Sequence, residues 1–303
     1  MNTIDERIAD AIKQQTSIPL IPEQKTKEYI DPIFSQEKPF TWGTEKIDDS
    51  FELMDRWKYF LLAWEQGSWK TEYAFFLAKR NVEKGHKVLF ITLEMSTDEI
   101  LVRTALKRAK ITKSEWDRRH SEPITWIKLD TYLEEKKALW ENENLILEGD
   151  GVENNGLQYI SELASKHNPD FIIVDNMDLI QHEAWTKMEK HEAISTHFIK
   201  YTKAANLSVL MLHHMNKDGW TKVKSITGTQ KIVDAPNIVV TCERNKPVDG
   251  EPQNEKDKAE FKLYLHKGRM WWDLNMQFLY FYNWTFHDTP PLEYDPFPNT
   301  ITN

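Results

Sequence analysis

The chain has 303 residues, 40% hydrophobic and 29% charged, a globular balance that excludes a peptide or fibrous product and admits one large α/β domain or two small ones. Ten Gly and 13 Pro exclude a low-complexity chain, and a single cysteine, Cys242, excludes an intrachain disulfide and is a poor start for a zinc site. With 39 Lys and Arg against 48 Asp and Glu the formal charge is −9, which argues against a surface coated in nucleic acid but leaves room for a local basic channel.

Residues 3–15 place Ile4, Ile8 and Ile12 on one helical face. The expected organisation is an N-terminal helix at 1–17, a connector at 18–40 with Pro19, Pro22, Pro32 and Pro39, a main domain at 41–287 and an extended acidic tail at 288–303. The helix docks either on its own domain or on a neighbouring subunit. There is no secretory signal and no apolar run near the roughly 20 residues of a membrane span, so a soluble, cytoplasmic protein without a membrane partner is expected. Most of the 12 Trp are expected in the core.

From residue 41 strand-like and helix-like segments alternate. Strands are predicted at 59–64, 87–93, 145–147, 171–174, 208–212 and 238–242, and helices at 71–83, 97–109, 156–167 and 188–205, with a polar, mostly helical region at 112–140. Apolar strands separated by helices indicate a mostly parallel central sheet covered on both faces. Residues 259–286 alternate without helical periodicity, which predicts an antiparallel extension on the sheet edge.

The segment after the first strand reads Trp64-Glu65-Gln66-Gly67-Ser68-Trp69-Lys70-Thr71 and runs straight into helical sequence. In a phosphate-binding loop, backbone N–H groups and a helix N-terminus wrap the phosphate, a Lys reaches its outer oxygens and the next Ser or Thr binds Mg²⁺. Lys70 and Thr71 are that pair, with Gly67, Ser68 and Trp69 before them. However, Trp64 and Trp69 stand where both glycines of G-x-x-x-x-G-K-[ST] belong, so the bare pattern is not met, and Trp-Lys-Thr could simply begin a helix. Downstream, one predicted strand ends in Glu94 and another in Asp175. Carboxylates at the carboxyl ends of adjacent parallel strands converge on the ligand crevice. Asp175 is thus a candidate for the Mg²⁺ shell, and Glu94 for polarising an attacking water.

With these residues in view, the chain resembles the ATPase domain of DnaB-type replicative helicases, a branch of the RecA-like ring motors, over roughly 41–286. The resemblance is carried by Thr41-Trp42-Gly43 through Ile47-Asp48, by Phe90-Ile91-Thr92-Leu93-Glu94-Met95-Ser96, by Ile172-Ile173-Val174-Asp175-Asn176-Met177-Asp178-Leu179-Ile180, and by Val209 through Lys217. It implies a RecA-like P-loop NTPase fold, ATP or another NTP with Mg²⁺, and Glu94 as catalytic base. His214 stands where the family has a γ-phosphate-sensing Gln. Lys267 and Arg269 match a Lys-x-Arg that reaches the neighbouring subunit's γ-phosphate, which requires a homo-oligomer, in this family a hexamer. Residues 216–227 correspond to the channel loop, where Lys217, Lys222 and Lys224 would hold phosphates of single-stranded DNA and Trp220 would stack on a base. Residues 182–190 are a weaker candidate.

The resemblance implies an ATP-dependent helicase moving 5′ to 3′. Fewer than about 40 residues precede the motor, which suggests a minimal version like those of phage or plasmid replication systems, working with a primase, polymerase or helicase loader in the bacterial or host cytoplasm. Either the Trp69 indole turns outward and nucleotide binds, or the loop is impaired and the chain is a catalytically weak ring-forming DNA-binding or regulatory component. The presence together of Lys70, Thr71, Glu94 and Asp175 favours the first.

Overall fold

A computed structural model describes residues 40–51, 54, 57–65, 69–149, 156–184, 186–215, 230–244, 260–267, 276–282 and 285–289. The expected N-terminal helix, nearly all of the connector and most of the tail lie outside the described residues.

The described strands form one nine-stranded sheet in the order β3-β2-β4-β5-β1-β6-β7-β8-β9. They are β1 (Tyr59–Glu65), β2 (Val88–Thr92), β3 (Leu145–Glu148), β4 (Phe171–Asp175), β5 (Ser208–Met215), β6 (Ile238–Arg244), β7 (Glu260–Lys267), β8 (Met276–Tyr282) and β9 (Thr285–His287). β3 through β6 in that order run parallel, and β7, β8 and β9 add antiparallel strands beyond β6. The helices are α1 (Glu45–Ser50), α2 (Lys70–Glu83), α3 (Thr97–Arg108), α4 (Lys113–Asp117), α5 (Trp126–Trp140), α6 (Leu157–His167), α7 (Lys187–Ala205) and α8 (Gln230–Asp234). The predicted parallel sheet and antiparallel edge are both present. α1, α8 and a 3-10 turn at Met177–Leu179 are too short to leave a periodic signal.

Period-two alternation sorts each central strand between two cores. Phe60, Leu62 and Trp64 of β1 face one side with Phe90, Leu210 and Leu212, and α2 covers them through Tyr73, Ala74, Leu77 and Ala78. Tyr59, Leu61 and Ala63 face the other side with Ile172, Val174 and Met211, beneath α6, α7 and α8. Burial on both faces is why these strands read as unbroken apolar runs. In β7 only alternate residues, Phe261, Leu263 and Leu265, are buried, and with Phe286 they extend the α2 side of the core.

The opening motif clamps α2 to the sheet. Asn81 of α2 accepts from the Thr41 N–H at 2.9 Å and donates to the Thr41 carbonyl at 3.1 Å, while Tyr73 donates to the Trp42 carbonyl at 2.7 Å. Asp48 closes the loop by accepting from the Trp42 N–H at 2.6 Å and the Thr41 hydroxyl at 2.5 Å. Gly43 has φ +100°, and a Cβ there would meet the Phe76 ring at 2.3 Å, so the close approach needs glycine.

Seven of the 12 Trp lie among the described residues, and Trp69 and Trp116 are partly buried against the cores. Trp42 and Trp64 are fully buried, but Trp57, Trp126 and Trp140 are exposed. The last two lie on α5, which packs on α3 through Tyr132 and leaves its other face uncovered within the described chain. No helix among the described residues is long and apolar enough to cross a membrane.

Candidate active site

Register brings the candidate groups to one sheet edge. Thr92 pairs with Asp175 across β2 and β4, and Trp64 pairs with His214 across β1 and β5. The strand β2 ends at Thr92, so Glu94 lies two residues past the strand tip rather than closing it. Beside that tip, Gly149 has φ +140°, and a Cβ there would meet the Thr92 carbonyl oxygen at 1.8 Å, so only glycine lets β3 leave the sheet so close to β2.

α2 starts at the edge of this cleft. No side chain caps its N-terminus at Trp69, so its first-turn N–H groups are not satisfied by a capping residue and the helix end favours an anion. Lys70 is 6% exposed, and its Nζ lies 2.9 Å from Asp175 Oδ1 and 3.5 Å from Glu94 Oε2. The Thr71 hydroxyl donates to Asp175 Oδ2 at 2.5 Å. Asp175 is fully buried, and a buried carboxylate is stable only when paired in this way. Lys70, Thr71, Asp175 and Glu94 therefore meet at one point.

Trp69 adopts a left-handed conformation, φ 61° and ψ 19°, which costs a residue with a Cβ roughly 1–2 kcal/mol. Packing offsets that cost. Its ring centroid lies 4.4 Å from that of Phe281 on β8, and the Lys107 ammonium lies 5.0 Å from the indole. Lys107 is paired with Glu72 at 3.1 Å, and burial lowers its pKa from the ordinary lysine value. The indole is thus engaged by the antiparallel extension and α3. A cavity of about 550 Å³ lies alongside, lined among others by Thr71, Glu72, Arg103, Lys107 and Phe281.

Asn176 follows Asp175 through a cis peptide bond and belongs to the site, although its residue type alone carries no signal. Its side-chain carbonyl accepts from the Asp178 N–H at 3.0 Å, which fixes the amide orientation. Its Nδ2 donates to Glu94 Oε2 at 2.9 Å and lies 3.3 Å from His214 Nε2. Lys70 Nζ approaches the same His214 nitrogen at 3.3 Å. Both neighbours are donors, so Nε2 acts as acceptor and the ring carries its proton on Nδ1. Burial and then the Lys70 charge lower the His214 pKa, keeping it neutral. The imidazole edge facing Lys70 therefore accepts a hydrogen bond, whereas a phosphate-sensing amide donates one.

Among the other expected site residues, Lys267 ends β7 and its ammonium donates to the main-chain carbonyls of Val233 and Asp234 on α8. The weaker nucleic-acid candidate is occupied internally: Lys187 pairs with Asp178 at 2.8 Å and Lys190 donates to the Asp178 carbonyl at 2.7 Å. Gly67, Ser68, Arg269, Lys217, Trp220, Lys222 and Lys224 lie outside the described residues.

The profile of the DnaB-like helicase C terminal domain matches residues 40–280. Among solved structures, one described as an ATPase domain is 17% identical, covers 89% of this chain and 99% of its own, and superposes with a TM-score of 0.71. A DnaB-like replicative helicase described with its interactions with primase is 16% identical, covers 92% of this chain and 70% of its own, with a TM-score of 0.69. The RadB recombinase is 13% identical, covers 82% of this chain and 99% of its own, and reaches 0.54. These likenesses establish the RecA-like fold. No curated protein sequence matches the chain.

Proposed function

The chain belongs to the DnaB-like helicase C-terminal domain family, and from that premise we propose an NTP-driven replicative DNA helicase that translocates on single-stranded DNA as a hexameric ring. The observation that carries the reading is the meeting of Lys70, Thr71, Asp175 and Glu94, with Lys70 2.9 Å from Asp175 and 3.5 Å from Glu94. Lys70 exchanges its carboxylate partners for the β- and γ-phosphates when nucleotide enters, with the N-terminus of α2 behind them. The cavity beside Trp69 and Phe281, about 550 Å³, is of a size to take the nucleoside.

Thr71 and Asp175 offer adjacent hard oxygen donors 2.5 Å apart, which fit Mg²⁺ rather than a softer ion. The ion supplies charge neutralisation on the phosphate oxygens. Glu94 is half-exposed, and the Asn176 amide orients it to accept a proton from the attacking water. His214 reports on the Lys70 position through its acceptor nitrogen.

Lys267 and Arg269 of one copy stabilise charge developing on the next copy's nucleotide, with Lys267 leaving its carbonyl partners to do so. Lys217, Lys222 and Lys224 hold the DNA backbone in the ring's channel, and Trp220 stacks on a base. A primase, loader or polymerase is the expected partner in a cytoplasmic replication complex.

The test is Mg²⁺-dependent NTP hydrolysis stimulated by single-stranded DNA, abolished in Lys70→Ala and Glu94→Ala, together with native mass measured with and without nucleotide. Ring formation and DNA binding without hydrolysis would identify a non-catalytic component instead. A protein that stays monomeric with nucleotide and DNA would remove the roles given to Lys267 and Arg269.

A further inference from the structure

On the sheet face covered by α7, next to the phosphate site, Asp178, His191 and His213 come together from three elements. Asp178 lies on the 3-10 turn after β4, His213 near the end of β5, and His191 in the second turn of α7. Successive residues of a strand point to opposite faces, so His214 serves the phosphate site while His213 enters this second cluster. Both imidazoles are fully buried, and Asp178 keeps 15% of its side chain exposed.

Asp178 Oδ1 lies 3.0 Å from His191 Nε2, and Asp178 Oδ2 lies 3.6 Å from His213 Nδ1. One ligand atom from each residue falls within 4.8 Å of the others. Bonds of 2.0–2.1 Å to a tetrahedral ion imply ligand separations of about 3.3 Å; the two contacts, made by different Asp178 oxygens, lie near that value, and the three ligand atoms would draw together on binding. The imidazole rings stand nearly perpendicular, at 86° with centroids 4.8 Å apart, so their nitrogens approach from different directions. His191 Nε2 has only the Asp178 contact, and His191 Nδ1 has no hydrogen-bond partner among the described residues. A buried polar group left in that state costs about 1–3 kcal/mol.

We infer that Asp178, His191 and His213 form a site for a divalent transition metal of the zinc type, separate from the nucleotide's Mg²⁺. Two imidazoles and a carboxylate suit Zn²⁺ or Co²⁺, whereas Mg²⁺ prefers oxygen alone. Lys187, 2.8 Å from Oδ1 with 59% of its side chain exposed, supplies the positive charge without metal and swings into solvent when metal enters. Bound metal would lock the turn whose Asp178 N–H positions Asn176, and through Asn176 it would reach Glu94.

The experiment strips the full chain with chelator and titrates Co²⁺, then Zn²⁺. One equivalent of Co²⁺ should give the visible absorption of a four-coordinate ion, and Zn²⁺ should displace it. His191→Gln should weaken binding by more than about 100-fold, beyond the range seen for supporting groups alone. Lys187→Gln, at an exposed position, should tighten binding by removing the competing ammonium, and Thr71→Ala should leave it unchanged. Absence of the absorption in the wild-type chain overturns the inference, as does unaltered affinity in folded His191→Gln. If His191→Gln does not fold, unchanged or weaker binding in Lys187→Gln overturns it, and loss in Thr71→Ala would assign the metal to the phosphate site.

Discussion

The indole of Trp69 lies 4.4 Å from the ring of Phe281, so the residue that replaces a glycine before the phosphate-site lysine is also a contact between α2 and the antiparallel extension. Trp69→Gly removes that aromatic pair and the Lys107 contact but relieves the left-handed strain. Expected outcomes are a net loss of about 1–2 kcal/mol in urea unfolding and hydrolysis within a few-fold of wild type. A large rise in hydrolysis would mean instead that the indole obstructs the loop.

Lys70 and Glu94 should separate binding from chemistry. Glu94→Gln keeps the Asn176 contact and should retain nucleotide while lowering kcat by roughly 10²–10⁴. Lys70→Ala should lose nucleotide binding and also cost about 3 kcal/mol, because it strips the buried Asp175 of its cation. Equilibrium nucleotide binding and single-turnover hydrolysis, set beside unfolding curves, check both.

His214 should impose a pH dependence on stability. Its folded pKa lies below the ordinary 6.5 because of burial and Lys70, with Asp178, Glu94 and Asp175 pulling weakly the other way. The unfolded chain then binds the proton more readily, so the contribution is present above about pH 6.5 and is lost as pH falls below it. The melting temperature should drop less between pH 7 and 5.5 in His214→Gln than in wild type. Identical slopes would rule this out.

Asn81 tests the clamp at the opening motif. Asn81→Ala leaves the buried Thr41 N–H and carbonyl without the partners they have at 2.9 and 3.1 Å. Urea unfolding should show a loss of about 2–4 kcal/mol. A loss under about 1 kcal/mol would mean that the clamp does not hold α2.

Much of the fold was legible because its signals are local. Strands buried on both faces are continuous apolar runs, as in β1 and β4, and the half-buried β7 alternates, so period and composition identify them without knowledge of neighbours. The strand order was not legible: β4 and β5 insert between β1 and β2, and no residue of β1 encodes that. Lys70, Thr71, Glu94 and Asp175 were nameable as candidates because each sits at an element boundary that patterning reveals.

What required three dimensions was the part of the chemistry that depends on pairs. Asn176 emerges only when its amide lies 2.9 Å from Glu94, and the proton position on His214 follows from two donors contributed by different elements. The side to which Trp69 turns depends on Phe281, 212 residues further along the chain. His191 and His213 acquire meaning only beside Asp178. Propensity and periodicity are properties of a segment and survive in the sequence, whereas distance, orientation and protonation are set by packing between segments, so only the folded chain decides them.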